Sequence, residues 1–374
     1  MGELYELVPR LVGVMPGAAT AFRGFPAAVR DGTLTLNHVV LTSTCNQRVP
    51  GFRNLLQWCP HVKEAREDTQ EIEITEEMPI LQPELMVLCG LEVKCGDASS
   101  GHTYNFWQNA WHENNTPLRL YRDEPAIAAT STEIYVVGGR ADGPERIILD
   151  SVERYDIGTD RWSMIAPMKI GRCQAGAICS GGALYVFGGV QPYRGVTSTV
   201  EVYRNHAWTF MADLPRARHG LQVAALGSKF FVCGGMTNKG VFDSVDIYDL
   251  QTHTWSSGPA MQQARANFGI AVFEGRIFVA GGRSVNDRLS SVECYDGHEW
   301  RLCSPMPTAR SHATLTVAGS IMYAIGGFTG WHVTAKIETY DPVLDKWSNA
   351  PPLPTPRWGH GSVLLARTPV RRPA

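Results

Sequence analysis

The sequence predicts an all-β fold of six repeated four-stranded units, because three features recur in step along the chain. Gly-Gly pairs close apolar runs at intervals of 50, 46, 47 and 45 residues. Tryptophans keep the same period, and a tyrosine precedes each one by five or seven residues. The pairs begin at Gly138, Gly188, Gly234, Gly281 and Gly326, with Cys89-Gly90 as a degenerate sixth, and the tryptophans are Trp111, Trp162, Trp208, Trp255, Trp300 and Trp347.

The fifth unit shows how each repeat is expected to fold. Strands are predicted at 268–273, 276–280, 291–295 and around Trp300, separated by Gly- and Asp-containing turns. Short strands with such turns are typical of an antiparallel meander rather than of βαβ units. A single four-stranded sheet cannot bury both faces, so the sheets must stack, and radial stacking leaves only short edges.

The ends of the repeat region predict how the ring closes. After Trp347 the chain enters one further strand, 359–366, and no second strand follows it. The first unit begins with a second strand at 85–88, because the proline-containing stretch 78–83 is a poor strand. The C-terminal strand is therefore expected to complete the N-terminal sheet.

The Gly-Gly pairs, the Glu/Asp-x-Tyr steps and the tryptophans resemble kelch repeats over residues 84–366. The resemblance implies a six-bladed kelch β-propeller and leaves 1–83 as a non-propeller segment and 367–374 as a basic tail. In kelch-like ubiquitin ligase adaptors the propeller follows a BTB domain, which recruits cullin, and a helical BACK domain. We find no BTB match in residues 1–83, and we interpret them as a linker with an acidic run at 64–77 or as a divergent BACK remnant. A helix is expected near 54–65.

Composition excludes several classes of protein. With 374 residues, 44% apolar and a net charge of −2, the chain is neither disordered nor a generic nucleic-acid binder. No apolar run is long enough to span a membrane, so no membrane partner is expected. The nine cysteines form no CxxC pair, and we expect reduced thiols in the cytoplasm.

Enzyme motifs are also missing, and the chain is expected to be non-catalytic and without a cofactor. A galactose-oxidase-like copper enzyme, which shares the kelch propeller, is the enzymatic alternative. Its ligands would include histidines, but we interpret His219, His312, His332 and His360 as rim residues.

Strand parity predicts which loops could bind a partner. In an antiparallel meander, the loop between strands two and three lies on the same rim as the connection to the next unit, and we call this rim the upper face. The longest upper loops are 140–150 and 190–199. Variable loops on a rigid scaffold are where recognition usually occurs.

An arginine recurs 16 residues before each Gly-Gly pair, at Arg122, Arg172, Arg218, Arg265 and Arg310, and Arg357 has the same place after the last tryptophan. Two interpretations stay open: the arginines brace the blades, or they form a ring that grips carboxylates. The upper connections hold nine basic and three acidic residues, and the lower turns three and seven. This asymmetry predicts that the upper face attracts an acidic protein segment.

In kelch-like proteins, peptide contacts come from the residue after the glycine pair and from the Arg-x step. Carried over, these are Arg140, Val190, Met236, Arg283 and Phe328, and Arg172-Cys173, Arg218-His219, Arg265-Ala266, Arg310-Ser311 and Arg357-Trp358. Tyr193, Arg194 and Trp331 also lie in upper loops. The resemblance implies substrate recognition for a cullin-RING ligase, with cullin reached through a BTB-containing partner or isoform. The alternative is an actin-associated scaffold.

Overall fold

The computed structural model describes residues 82–92, 101–106, 108–114, 116, 118–141 and 147–367, and the backbone of short strands within 21–42 and 78–79. Every regular element in these ranges is a β-strand. Among the described residues there is no apolar helix of membrane-spanning length. The fold is thus all-β, as the turn pattern predicted.

Six antiparallel four-stranded sheets form a six-bladed propeller, and the strands of each blade follow one another in chain order from the second blade on. Blades 2 to 4 are Ala126–Ala129, Glu133–Val137, Val152–Asp156 and Arg161–Ile165; Gly176–Ser180, Ala183–Phe187, Val200–Arg204 and Ala207–Met211; and Gln222–Leu226, Lys229–Cys233, Val245–Asp249 and Thr254–Ser257. Blades 5 and 6 are Gly269–Phe273, Arg276–Ala280, Val292–Tyr295 and Trp300–Cys303; and Thr314–Ala318, Ile321–Ile325, Ile337–Asp341 and Lys346–Ala350.

Blade 1 is assembled from both ends of the repeat region. Its strand order is Gly361–Arg367, Gln82–Leu88, His102–Asn105 and Ala110–Glu113. The last strand of the propeller therefore serves as the first strand of the first blade, which confirms the predicted closure. A short upper pair, Leu91–Glu92 with Arg357–Trp358, adds a second connection between the same two regions.

The core lies between neighbouring blades, where the repeated aromatic residues pack. In blade 5 the Tyr295 and Trp300 rings are 5.3 Å apart, and the Trp300 indole N–H donates to the Pro259 carbonyl of the preceding connection. Trp208 and Trp347 donate to the equivalent carbonyls. The tyrosines and tryptophans thus join adjacent blades, as expected for residues of the scaffold.

The Gly-Gly pairs are required where one blade approaches the next. Gly138 has a φ of +59°, and a Cβ there would lie 2.1 Å from the Arg172 carbonyl oxygen. The Gly139 N–H donates to the same oxygen at 2.9 Å. Equivalent bonds run from the second glycine of every pair to the arginine carbonyl of the next blade. A side chain would displace this contact, so the glycines are retained for close approach.

Residues before the propeller contribute two small sheets. One pairs Ala21–Arg23 with Val40–Thr42, and the other has the order Ala27–Arg30, Thr33–Leu36 and Met78–Pro79. The helix expected near 54–65 and the acidic run at 64–77 lie outside the described residues.

Candidate functional site

Each of five repeated arginines pairs with the acidic residue that precedes the tyrosine of its own blade. In blade 5, Arg265 donates from Nη1 to the Gly281 carbonyl at 2.7 Å and from Nη2 to Glu293 Oε1 at 2.6 Å. Glu293 also accepts the backbone N–H groups of Gln262 and Gln263. The other pairs are Arg122–Glu153, Arg172–Glu201, Arg218–Asp246 and Arg310–Glu338.

Arg357 of blade 1 has a different partner. Its guanidinium contacts His102 Nδ1 at 2.9 Å and donates to the Cys89 carbonyl at 3.2 Å. Burial, with the Arg357 charge added, lowers the pKa of His102 to about 4. The imidazole is therefore neutral at pH 7 and can accept a hydrogen bond from the guanidinium in place of the carboxylate used elsewhere.

These contacts correct part of the sequence-based expectation. Five arginines named as partner-binding have at most 1% of their surface exposed, so their guanidiniums do not reach a ligand: they are Arg172, Arg218, Arg265, Arg310 and Arg357. Ser311 is also fully buried, beneath the same rim. The contacts support the bracing interpretation. Six of the nine basic residues counted in the upper connections are the repeated arginines, so the predicted basic surplus of this face does not reach its surface.

Two aromatic side chains project from upper loops into solvent. Tyr193, in the loop of blade 3, has a relative exposure of 107%, and Trp331, in the loop of blade 6, has 93%. Arg194 beside Tyr193 is exposed as well. Blades 3 and 6 are third neighbours in a ring of six, so these loops lie on opposite sides of the central mouth. Exposed aromatic side chains of this kind are typical of interaction surfaces.

The mouth itself is lined by the residues two positions after each repeated arginine, and all six have a positive φ: Glu124, Gln174, Gly220, Asn267, His312 and Gly359. Each backbone N–H in this set donates to the carbonyl of the previous member, at 2.7 to 3.2 Å, and Glu124 donates to Gly359. The six hydrogen bonds form a closed circle, which we call the axial circle. It fixes the backbone from which the central side chains project.

On the side of blades 2 to 4, the central side chains form a paired polar network. Glu124 accepts from Gln174 Nε2 at 2.6 Å and lies 3.2 Å from Arg140 Nη1. His219 Nδ1 lies 2.5 Å from Gln174 Oε1, which fixes the proton on that ring nitrogen because the amide oxygen only accepts. Burial raises the pKa of the Glu124 carboxyl, but the His312 hydrogen bond and the Arg140 charge outweigh burial and lower it. The network is held together by charge and hydrogen bonding.

On the side of blades 5 and 6, cationic and aromatic side chains meet. Arg283 follows the glycine pair of blade 5 and forms an antiparallel bridge with Arg288. The Arg288 guanidinium lies 5.2 Å from the centre of the Phe328 ring. Phe328 is 6.1 Å from Trp358, and the Trp358 ring meets the His312 ring edge-on at 4.7 Å. This group combines positive charge with an apolar wall.

The structure adds residues that the sequence reasoning missed as site residues. Glu124, Gln174 and Asn267 have the same repeat position, two residues after an arginine, and that register could have identified them. Arg288 is not repeated in other blades, so no periodic signal indicates it. His360, interpreted as a rim residue, is 6% exposed and belongs to the interior.

Among the described residues no group of three His, Cys, Asp or Glu side chains is placed to hold a metal ion. A family model, the KLHDC2/KLHL20/DRC7 Kelch-repeats domain, matches residues 124–302 and 176–369, about two thirds of the chain together. The chain belongs to the kelch-repeat family.

The kelch assignment agrees with the similarity to curated proteins. Kelch-like protein 25 of Xenopus tropicalis is 29% identical over 261 residues, which are 67% of this chain and 36% of that protein. Human Kelch-like protein 34 is 26% identical over 257 residues, 65% of this chain and 33% of that protein. Human Kelch repeat and BTB domain-containing protein 2 is 30% identical over 139 residues, which are 36% of this chain and 21% of that protein. The chain thus spans between 21% and 36% of the length of these relatives, and the part it matches is the propeller half of kelch-like proteins.

Proposed function

We propose that this kelch propeller binds a segment of a partner protein on its upper face, without catalysis. The observation that carries the proposal is the pair of exposed aromatic side chains, Tyr193 and Trp331, on loops opposite each other across the mouth. Buried aromatic anchors dominate the energy of many protein interfaces. The neighbouring candidates Arg140, Arg194, His219, Phe328 and Trp358 would contribute contacts between the two anchors.

We further propose that the bound partner is a substrate of a cullin-RING ubiquitin ligase. Support comes from the family and from relatives that carry the kelch-like name. In this proposal residues 84–366 are the recognition domain, 1–83 a linker or divergent BACK remnant, and 367–374 a tail. Cullin would be reached through a BTB domain in a partner or in another form of the chain.

We place this activity in the cytoplasm. The six cysteines among the described residues are all free thiols: Cys89, Cys173, Cys179, Cys233, Cys294 and Cys303. Free thiols persist in the reducing conditions of the cytosol.

The test is quantitative affinity capture from cell extract with the full chain and two variants. Tyr193→Ala combined with Trp331→Ala removes both anchors and is expected to reduce recovery of the partner at least about tenfold, since each buried aromatic anchor is worth roughly 2 kcal/mol or more. The matched control is Leu302→Ala combined with Val343→Ala, which removes apolar side chains that are 62% and 61% exposed away from the upper loops.

Equal recovery with both variants would contradict the upper face as the binding surface. Recovery of a cullin with the wild-type chain would support the ligase role. Co-sedimentation with actin filaments without cullin would instead support the alternative of a cytoskeletal scaffold.

A further inference from the structure

Arg283 and Arg288 bring two like charges together in the upper loop of blade 5. They lie directly opposite each other in an antiparallel bridge. In the part of the chain that the structure describes, neither guanidinium has a carboxylate within ion-pair distance. Like charges at directly opposite positions are destabilising. The arrangement therefore costs stability and has no compensating anion among these residues.

The surroundings of the pair increase this cost. The Nε atoms of Arg283 and Arg288 are buried and have no hydrogen-bond partner among the described residues. Burial, together with the Arg283 charge, lowers the pKa of Arg288. The Phe328 ring, 5.2 Å away, supplies a cation–π contact but has no oxygen or nitrogen atom to accept a hydrogen bond from a guanidinium N–H. Both arginines are partly exposed, so the guanidinium donors other than the buried Nε atoms can receive an acceptor from outside the chain.

The equivalent position in blade 2 shows what is missing. Arg140 also follows a glycine pair, and its guanidinium lies 3.2 Å from the Glu124 carboxylate. Arg283 has the same place in blade 5, across the mouth. Asp287, in the loop between the two arginines, takes part in a turn with Ser284 through its backbone N–H and carbonyl and makes no ion pair with either arginine. Arg140 of blade 2 is thus paired with a carboxylate, whereas Arg283 of blade 5 is not, because Asp287 in its loop makes no ion pair with it.

We propose that Arg283 and Arg288 form a subsite for a phosphorylated side chain of the bound protein, next to the aromatic wall of Phe328 and Trp358. Two guanidiniums carry a charge of +2 and offer planar arrays of donors. A phosphate group carries about −1.5 to −2 at pH 7 and three acceptor oxygens, so it neutralises both arginines, whereas a carboxylate neutralises one. The apolar wall excludes water and strengthens the attraction. This inference rests on the proposed recognition function and adds the chemistry of the ligand.

The test uses three labelled peptide pools of identical design, with random uncharged flanking residues and a central phosphoserine, glutamate or serine. Retention on the immobilised full chain is expected to be highest for phosphoserine, by about tenfold over serine, and to fall as salt is raised. Arg283→Gln and Arg288→Gln should each abolish most of this preference. The matched control is Arg276→Gln, in the same blade but in the hairpin between strands one and two, where the arginine pairs with Glu274.

A second probe, inorganic phosphate, keeps the proposal testable if random flanks bind poorly. Phosphate is expected to shift the arginine side-chain N–H resonances of Arg283 and Arg288 and not that of Arg276. Equal retention of the glutamate and phosphoserine pools would overturn the phosphate assignment in favour of a carboxylate. Absence of any shift with phosphate, or a preference that survives both substitutions, would overturn the subsite.

The two proposals can fail separately. If the aromatic double variant loses the partner while Arg288→Gln retains it, recognition stands and the phosphate subsite is wrong. If phosphate binds at Arg288 but the Tyr193→Ala, Trp331→Ala variant recovers as much partner as the wild-type chain, the proposed binding surface is wrong.

Discussion

The repeated arginines and the Arg283–Arg288 pair occupy the same rim of the propeller but have opposite surroundings. Arg265 is fully buried and bonded to Glu293, which in turn accepts two backbone N–H groups. Arg283, eighteen residues further along the same blade, faces another arginine. The charge of Arg265 is paired with a carboxylate inside the protein, and the charges of Arg283 and Arg288 are not paired with one among the described residues. In this propeller the repeat builds the scaffold, and the binding sites that we propose lie at departures from the repeat.

The largest effect should come from breaking a brace. Glu293→Gln leaves Arg265 as a buried cation without its carboxylate, and we expect a loss of about 3–5 kcal/mol in the free energy of unfolding. Denaturant unfolding measures this. The control is Glu299→Gln, which breaks the exposed pair with Arg301 and should leave the free energy of unfolding nearly unchanged, because solvent screens that pair. Equal losses for the two variants would mean that the brace is not a structural ion pair.

An intermediate effect is expected at the paired side of the mouth. Glu124→Gln weakens the contacts with Arg140 and His312 and should cost about 1–3 kcal/mol at pH 7. Because the pKa of Glu124 is lowered in the folded protein, its contribution is fully present well above the ordinary value of 4.5 and is lost as the pH falls through the lowered pKa.

The measurement is the melting temperature of wild type and Glu124→Gln between pH 7 and pH 3.5. The gap between the two proteins should be constant near neutrality and narrow below pH 4.5. A gap that widens in acid would contradict the assigned ionisation state.

The smallest effect, with the opposite sign, is expected at the unpaired arginines. Arg283→Gln removes one of two facing charges, so stability should be unchanged or rise by up to about 1 kcal/mol. Arg140→Gln, at the equivalent position of blade 2, should lower stability because Glu124 loses its cation. Thermal unfolding of the two variants gives the comparison. If Arg283→Gln lowered stability as much as Arg140→Gln, Arg283 would have an internal anionic partner. The contrast between blade 5 and blade 2 would then disappear.

The sequence predicted the scaffold well because its determinants repeat. The glycine pairs, the tyrosines and the tryptophans each have one geometric task per blade, and six copies make the pattern unmistakable. Closure by the last strand followed from counting strands at the two ends. The register of the fifth blade agrees with the predicted strands to within a residue or two.

The role of the repeated arginines could not be decided from their period, since a brace and a ligand-binding ring have the same spacing. The acids that pair with them, such as Glu153 and Glu201, recur with the same period, and this shared period indicates a brace. The role of Arg288 could not be predicted from the sequence for a different reason. Its environment depends on a neighbouring loop, through Phe328, and nothing in a single repeat specifies it.

The axial circle separates the size of the central opening from its chemistry. Its diameter is set by main-chain atoms that every amino acid except proline can supply, whereas the residues on it are glutamate, glutamine, asparagine, histidine and two glycines. Because each position has a left-handed backbone, glycine and asparagine are favoured there and valine or isoleucine would be strained, and a Cβ at Gly220 would also lie 2.4 Å from Asn267 Oδ1. A protein of this design can acquire a new specificity at its centre by exchanging a few side chains, while the aperture keeps its dimensions.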